Sequence, residues 1–219
     1  MLRVMVVDDE ALVRSGLRMI LGSAAGIEVV ATCDGIAAIE EFRRHRPDVV
    51  LLDIRMPEVD GLTVLRELSR SSRPPAVAML TTFDADEFLA EALHTGAAGF
   101  LLKDIEPEQL ISAVRALAEG GSVLSPAVAR TVIAGYVDGS ARPTSEARVE
   151  GMSTREREVL GLLGLGLSNA EIGRRLYLSP ATVKDYVSAV LAKLDVSNRV
   201  QAAVVAQEAG LLPLDRGRG

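Results

Sequence analysis

Cysteine is almost missing from this chain. Cys33 stands alone among 219 residues, so no internal disulfide and no cysteine-built zinc site can form. Long apolar runs are missing too: none approaches the roughly 20 residues that cross a bilayer, although 48% of the chain is hydrophobic and a buried core is available. Met1-Leu2-Arg3-Val4 runs straight into a strand-like pattern, which leaves no room for a signal peptide. A strong excess of one charge is lacking as well. The net charge of −6 argues against a chain that binds nucleic acid along its whole length. No repeat or low-complexity tract is present. These absences predict a soluble, cytoplasmic protein with no membrane partner.

What charge there is lies unevenly. Residues 1–120 carry a balance of −8, residues 121–150 are neutral, and residues 151–219 reach +2. A C-terminal piece that breaks the acidic trend can meet phosphate, though +2 is a weak field.

Residues 1–120 alternate short apolar runs with helical periodicity. Leu2–Val7, Ile27–Thr32, Val49–Asp53, Ala76–Thr81 and Gly99–Leu102 read as strands. Ala11–Leu21, Ile36–Phe42, the segment closing at Leu68, Asp86–Leu93 and Pro107–Ala118 read as helices. Strict alternation predicts an α/β domain with a doubly wound, five-stranded parallel sheet covered on both faces. Ligands of such sheets sit beyond the C-terminal strand ends. Residues 122–150 lose this rhythm: Val123–Val137 can form a short helix, and Gly139–Ser145 has linker composition. The expected organisation is a first domain over 1–121, a partly helical linker over 122–150, a small all-α domain over 151–213 and a flexible tail over 214–219.

The helical part is punctuated by caps. Ser153 with Glu156 and Ser168 with Glu171 match the capping box. Ser179-Pro180 supplies an N-cap and a first-turn proline. Ser197 can cap a last helix, Asn198–Glu208, that stops at Gly210.

The chemistry of the first domain gathers at strand ends. Asp8 and Asp9 follow the first strand and Asp53 closes the third, so three carboxylates converge at one edge. Like charges so close raise one another's pKa; a hard cation relieves them, and oxygen-only ligation suits Mg²⁺. Thr81 ends the fourth strand and Lys103 follows the fifth, bringing a hydroxyl and an ammonium to a rim where a phosphoryl group needs neutralisation. His45 and His94, on helices, read as surface residues, and Cys33 as a packing residue.

Val6-Val7-Asp8-Asp9-Glu10, Leu51-Leu52-Asp53-Ile54-Arg55-Met56-Pro57, Thr81 and Gly96–Lys103 resemble the flavodoxin-like receiver domain of NarL/FixJ-type response regulators, over nearly all of residues 1–120. The resemblance implies that Asp53 accepts phosphate from a sensor histidine kinase. It implies that Asp9, Asp53 and the Arg55 backbone carbonyl hold Mg²⁺, with Asp8 helping through water. Thr81 and Lys103 would bind phosphoryl oxygens, and Phe100 takes the switch-aromatic position. Two departures stand out: Asp104 follows the lysine where many receivers have proline, and Glu58 stands where this branch often has glycine.

Met152–Leu160, Leu167–Gly173, Leu178–Lys184 and Lys193–Arg199 are similar to the LuxR-type helix-turn-helix. That similarity implies that the helix after Ser179 enters the major groove of double-stranded operator DNA. The contact candidates are Thr182, Val183, Lys184, Ser188, Lys193 and Arg199. Lys184 is the leading base or phosphate contact, whereas Val183 can meet thymine methyls or pack inside. Leu160, Leu163, Ile172, Leu176, Val183, Val187 and Leu191 are the expected core. Asp185 and Tyr186 depart from the relatives' pattern, which can change sequence preference or weaken binding.

The expected mechanism is phosphorylation of Asp53, movement of Thr81 and the loop before the fourth helix, inward packing of Phe100, and homodimerisation through the surface around the fourth and fifth helices. Val200, Ala203, Val204 and Ala206 offer a dimer face or core packing. No enzyme activity is expected beyond slow self-dephosphorylation. An aspartate-phosphorylating phosphatase is the rival, but it carries a second acid two residues after the nucleophile, where Arg55 stands here. A second rival is a protein-interaction regulator whose helical domain has lost DNA binding.

Overall fold

The computed structural model describes residues 1–81, 86–124, 148–196 and 198–212. The loop before the fourth helix, the bulk of the expected linker, Ser197 and the C-terminal tail lie outside them. The chain divides into two compact units, one built on a sheet and one on helices.

In the first unit, β1 (Leu2–Val7), β2 (Ile27–Cys33), β3 (Val49–Asp53), β4 (Ala76–Thr81), β5 (Gly99–Leu102) and β6 (Val123–Leu124) form a sheet of order β2-β1-β3-β4-β5-β6. Every recorded pairing is parallel. Helices α1 (Ala11–Gly22), α2 (Ala38–His45), α3 (Gly61–Ser69), α4 (Asp86–Thr95) and α5 (Pro107–Ala118) make the crossovers. β1, β3, β4 and β5 have the expected bounds. α2 begins two residues later than expected, and Ile36 before it is exposed. β6 is a correction: Val123 and Leu124 open not a helix but a short edge strand, because the free edge of β5 offers backbone groups that an extended segment satisfies.

β3 is buried throughout, as a central parallel strand must be. Val4, Val6, Val49, Leu51, Ala78, Leu80 and Leu101 line one face of the sheet, packed on Leu17 and Leu21 of α1 and on Leu110, Val114 and Leu117 of α5. Side chains alternate along a strand, so Met5, Val50, Leu52, Met79 and Phe100, all buried, face the opposite layer.

The second unit contains α6 (Thr154–Gly164), α7 (Asn169–Leu176), α8 (Pro180–Leu194) and α9 (Arg199–Glu208). Both capping boxes form, and Ser179 caps α8 with Pro180 in its first turn. Asn198 caps α9 by accepting from the Gln201 amide at 3.0 Å. Leu160, Leu163, Ile172, Val183 and Val187 are buried in its core, with Leu176 and Leu191 packed partly against it. Val149 belongs to this core and the Met152 amide donates to its carbonyl at 3.1 Å. The packed unit therefore starts before residue 151. α9 places Ala202, Val205 and Ala206 in this core, while Val200 and Val204 are buried and Ala203 is half-buried. Of the four residues read as a dimer face or core packing, Ala206 is the one that belongs to the core.

Candidate functional sites

Register assembles the acidic site. Val7 pairs with Leu52, so the next residue of each chain segment, Asp8 and Asp53, comes level. Leu80 pairs with Asp53 and Thr81 with Leu102, which places Thr81 and the following Lys103 at the same rim. The Lys103 amide donates to the Thr81 carbonyl at 3.0 Å. One carboxylate oxygen from each of Asp8, Asp9 and Asp53 lies within 4.8 Å of the others. Asp8 and Asp53 are buried, whereas Asp9 is exposed.

The Lys103 ammonium balances this charge, with Nζ 2.9 Å from Asp8 Oδ2 and donating to Asp53 Oδ2 and Glu10 Oε1 at 3.0 Å each. Burial raises the Asp53 pKa above its ordinary value and Asp8 adds to the effect, while hydrogen bonds from Lys103 and from the Arg55 amide oppose it. The Lys103 pKa is raised, since three carboxylates outweigh the cost of its partial burial.

Neighbouring residues hold the pocket in shape. The Glu10 amide donates to Asp8 Oδ1 at 2.8 Å and Arg14 donates to the Asp8 carbonyl. Glu10 precedes α1 but makes no side-chain cap; its carboxylate goes to Lys103 instead. Neither Glu10 nor Arg14 was assigned a role from sequence, although Glu10 adjoins the aspartate pair. Gly61 opens α3 where a Cβ would lie 2.1 Å from the Asp53 carbonyl oxygen, so the helix can approach the aspartate only without a side chain. Glu58 adopts φ 66°, a left-handed conformation that glycine takes at no steric cost. This explains why glycine is usual there in the branch it resembles. Thr81 is buried at the end of β4 and Phe100 is fully buried on β5. Arg55 is exposed, its guanidinium 5.6 Å from the centre of the Phe88 ring.

The second candidate site is the outer surface of α7 and α8. Tyr177 ends α7 at φ 56°, and Ser179 then starts α8, which makes a tight helix-turn-helix. Gly173 permits the turn, since a Cβ there would stand 2.6 Å from the Leu178 carbonyl oxygen. Lys184 and Ser188 are exposed on α8 and Thr182 is half-buried. The Ser188 hydroxyl donates to the Lys184 carbonyl, and Thr182 Oγ1 lies 2.8 Å from Ser179 Oγ.

Two of the expected contacts are buried, and a third is ion-paired. Val183 has no exposed surface and packs in the core, so of its two readings the internal one holds. Arg199 is buried, donating to Asn169 Oδ1 and to the Leu167 carbonyl; desolvation pulls its pKa down to about 10. Lys193, half exposed, donates to Glu156 Oε2 at 2.8 Å and braces the first capping box. Arg174 and Arg175, in the last turn of α7, are exposed beside the turn as well. Charge alone marked them no more than any other surface arginine.

Two family models match the chain: the response regulator receiver domain over residues 4–115 and the luxR family of bacterial regulatory proteins over residues 150–206. The chain belongs to the LuxR-type response regulators. It is 37% identical to the DNA-binding transcriptional activator DevR/DosR of Mycobacterium tuberculosis, with 95% of each chain covered. It is 36% identical to the transcriptional regulatory protein LnrK of Bacillus subtilis, over 96% of this chain and 99% of that one. Among solved structures, the response regulator ChrA of a heme-sensing two-component system is 37% identical over 96% of this chain and 98% of that chain, with a TM-score of 0.53. This response regulator thus joins a receiver domain to a LuxR-type DNA-binding domain and is a transcriptional regulator. No described helix of the regulator is long and apolar enough to cross a membrane.

Proposed function

We propose that Asp53 is the phosphoacceptor of this regulator and that its phosphorylation controls binding to operator DNA. The supporting observation is the cluster of Asp8, Asp9 and Asp53 carboxylates, with Lys103 Nζ 2.9 Å from Asp8 Oδ2 and 3.0 Å from Asp53 Oδ2. An Asp53 carboxylate oxygen attacks the phosphorus of a kinase phosphohistidine, the P–N bond breaks, and the imidazole leaves with a proton. Lys103 then turns from the carboxylates to the transferred phosphoryl oxygens, and Thr81 donates its hydroxyl to them.

The donor set suits Mg²⁺: hard carboxylate oxygens, closely spaced, two of them buried. Asp9, Asp53 and the Arg55 carbonyl would hold it, with Asp8 through water, and when bound it would neutralise phosphoryl charge. The receiver extends through β6 at Leu124 and the DNA-binding domain begins by Arg148. Homodimerisation of the phosphorylated form would align two recognition helices on adjacent half-sites. Loss of Glu10 from Lys103 belongs to the same switch, whereas Phe100, expected to pack inward on phosphorylation, is already fully buried.

Incubation of the intact protein with acetyl phosphate and Mg²⁺ should add the mass of one phosphoryl group, absent in Asp53→Asn, and should raise both dimer fraction and DNA affinity. An unshifted mass with acetyl phosphate and with every kinase donor would overturn the proposal.

A further inference from the structure

α8 has a sharply divided surface. Val183, Val187, Val190 and Leu194 are buried and mark its inner side. At about 3.6 residues per turn, position 185 falls opposite that line, on the outermost part of the helix. Its neighbours there are Ala181, Ser188, Ala189 and Ala192, all exposed and all small. A helix with such short side chains can bring its backbone close to the floor of a groove. In the middle of this face stands one carboxylate, Asp185, also exposed.

The fold gives Asp185 no structural task. Ser179 already caps the helix, and Asp185 lies beyond the first turn, where the helix dipole favours an acid. Its positions three and four residues away are Thr182, Ser188, Ala181 and Ala189, so no basic partner exists at helical spacing. No ion pair or hydrogen bond of its side chain occurs among the described residues. On a surface that meets polyphosphate, a carboxylate aimed at the backbone would only repel.

We infer that Asp185 reads a base: it accepts a hydrogen bond from the N4 amino group of cytosine and so selects a C·G pair in each half-site. The inference rests on the DNA-binding reading above. The selectivity follows from what each base shows in the major groove. Cytosine presents an amino donor. Guanine and thymine present acceptors, which repel a carboxylate. Adenine sets its N7 acceptor beside its amino group, which opposes the second carboxylate oxygen. The residue that departs from the relatives' pattern thus sets a sequence preference, by attraction to one base and repulsion from three.

The test uses the full-length protein, treated with acetyl phosphate and Mg²⁺, to select from a pool of duplexes with about 20 random base pairs, room for two half-sites. The wild type should enrich a motif with an invariant C·G at one position of each half-site. Asp185→Ala should lose the preference at that position alone, and Asp185→Asn should move it to A·T, because an amide matches adenine N6 and N7. Replacing that C·G should weaken wild-type binding on the order of ten-fold and leave Asp185→Ala nearly unaffected. Identical motifs for wild type and Asp185→Ala overturn the inference while leaving DNA binding intact. Uniformly tighter binding by Asp185→Ala overturns it too, since the carboxylate would then act only by repulsion. A pool in which neither protein enriches any motif overturns the DNA-binding reading itself.

Discussion

Lys103 shows how a single side chain holds the acidic pocket together. Its ammonium is the counter-charge for Asp8 and Asp53, which are both buried. Removing one partner of a buried ionic cluster costs about 3 kcal/mol because the other charges stay behind unpaired. Lys103→Met should therefore lower stability by about that amount in metal-free buffer. The same variant should bind Mg²⁺ more tightly than wild type, as a competing positive charge has gone; calorimetric titration checks this. Cys33 is the opposite case, a reactive group made inert. Burial, with Glu41 and Asp34 nearby, pushes its thiol up to about 12, and nucleophilicity needs the thiolate. Labelling by a thiol reagent at pH 8 should be far slower than for a free cysteine and should accelerate only when denaturant opens the receiver.

At the scale of elements, the capping box of α6 joins two parts of the helical domain. Glu156 accepts from Lys193 of α8 and from the Ser153 amide and hydroxyl. These partners, Lys193 first, hold its carboxyl down to about 2 from an ordinary 4.5. A folded pKa below the unfolded one means stability that is fully present above the unfolded value and is lost as pH falls through the folded one. The helical domain should lose stability between about pH 4.5 and pH 2, and Glu156→Gln should flatten that part of the profile while lowering stability at neutral pH. Thermal unfolding followed by circular dichroism across that range is the measurement. α9 shows what an element's own sequence leaves open. Its apolar residues serve as well for a dimer face as for a core, and only the packing partners decide that Ala202, Val205 and Ala206 are internal.

Over the whole molecule, an acidic receiver is joined to a domain that carries Arg174, Arg175 and Lys184 exposed on α7 and α8. Phosphate contacts release counterions, so each lost contact lowers the slope of log affinity against log salt by about 0.9. Arg174→Gln should reduce the slope for duplex DNA by roughly that amount at unchanged stability. Arg199→Gln should leave the slope in place and instead destabilise the helical domain, because the arginine ties Asn169 and the Leu167 carbonyl together from inside.

Much of this protein could be read from its amino acids alone. The alternation of strands and helices, the bounds of β1, β3, β4 and β5, both capping boxes and the acidic residues at strand ends follow from periodicity and from hydrogen bonds that reach three or four residues along the chain. Other features needed partners far away in sequence. Lys103 meets Glu10 across 93 positions, Arg199 meets Asn169 across 30, and β6 exists because β5 offers an edge. That Val183 packs in the core and that Arg199 is buried among Asn169 and the Leu167 carbonyl likewise came from packing. A side chain's type sets what it can bond to, but burial and competing partners set what it does bond to, and those belong to the tertiary structure.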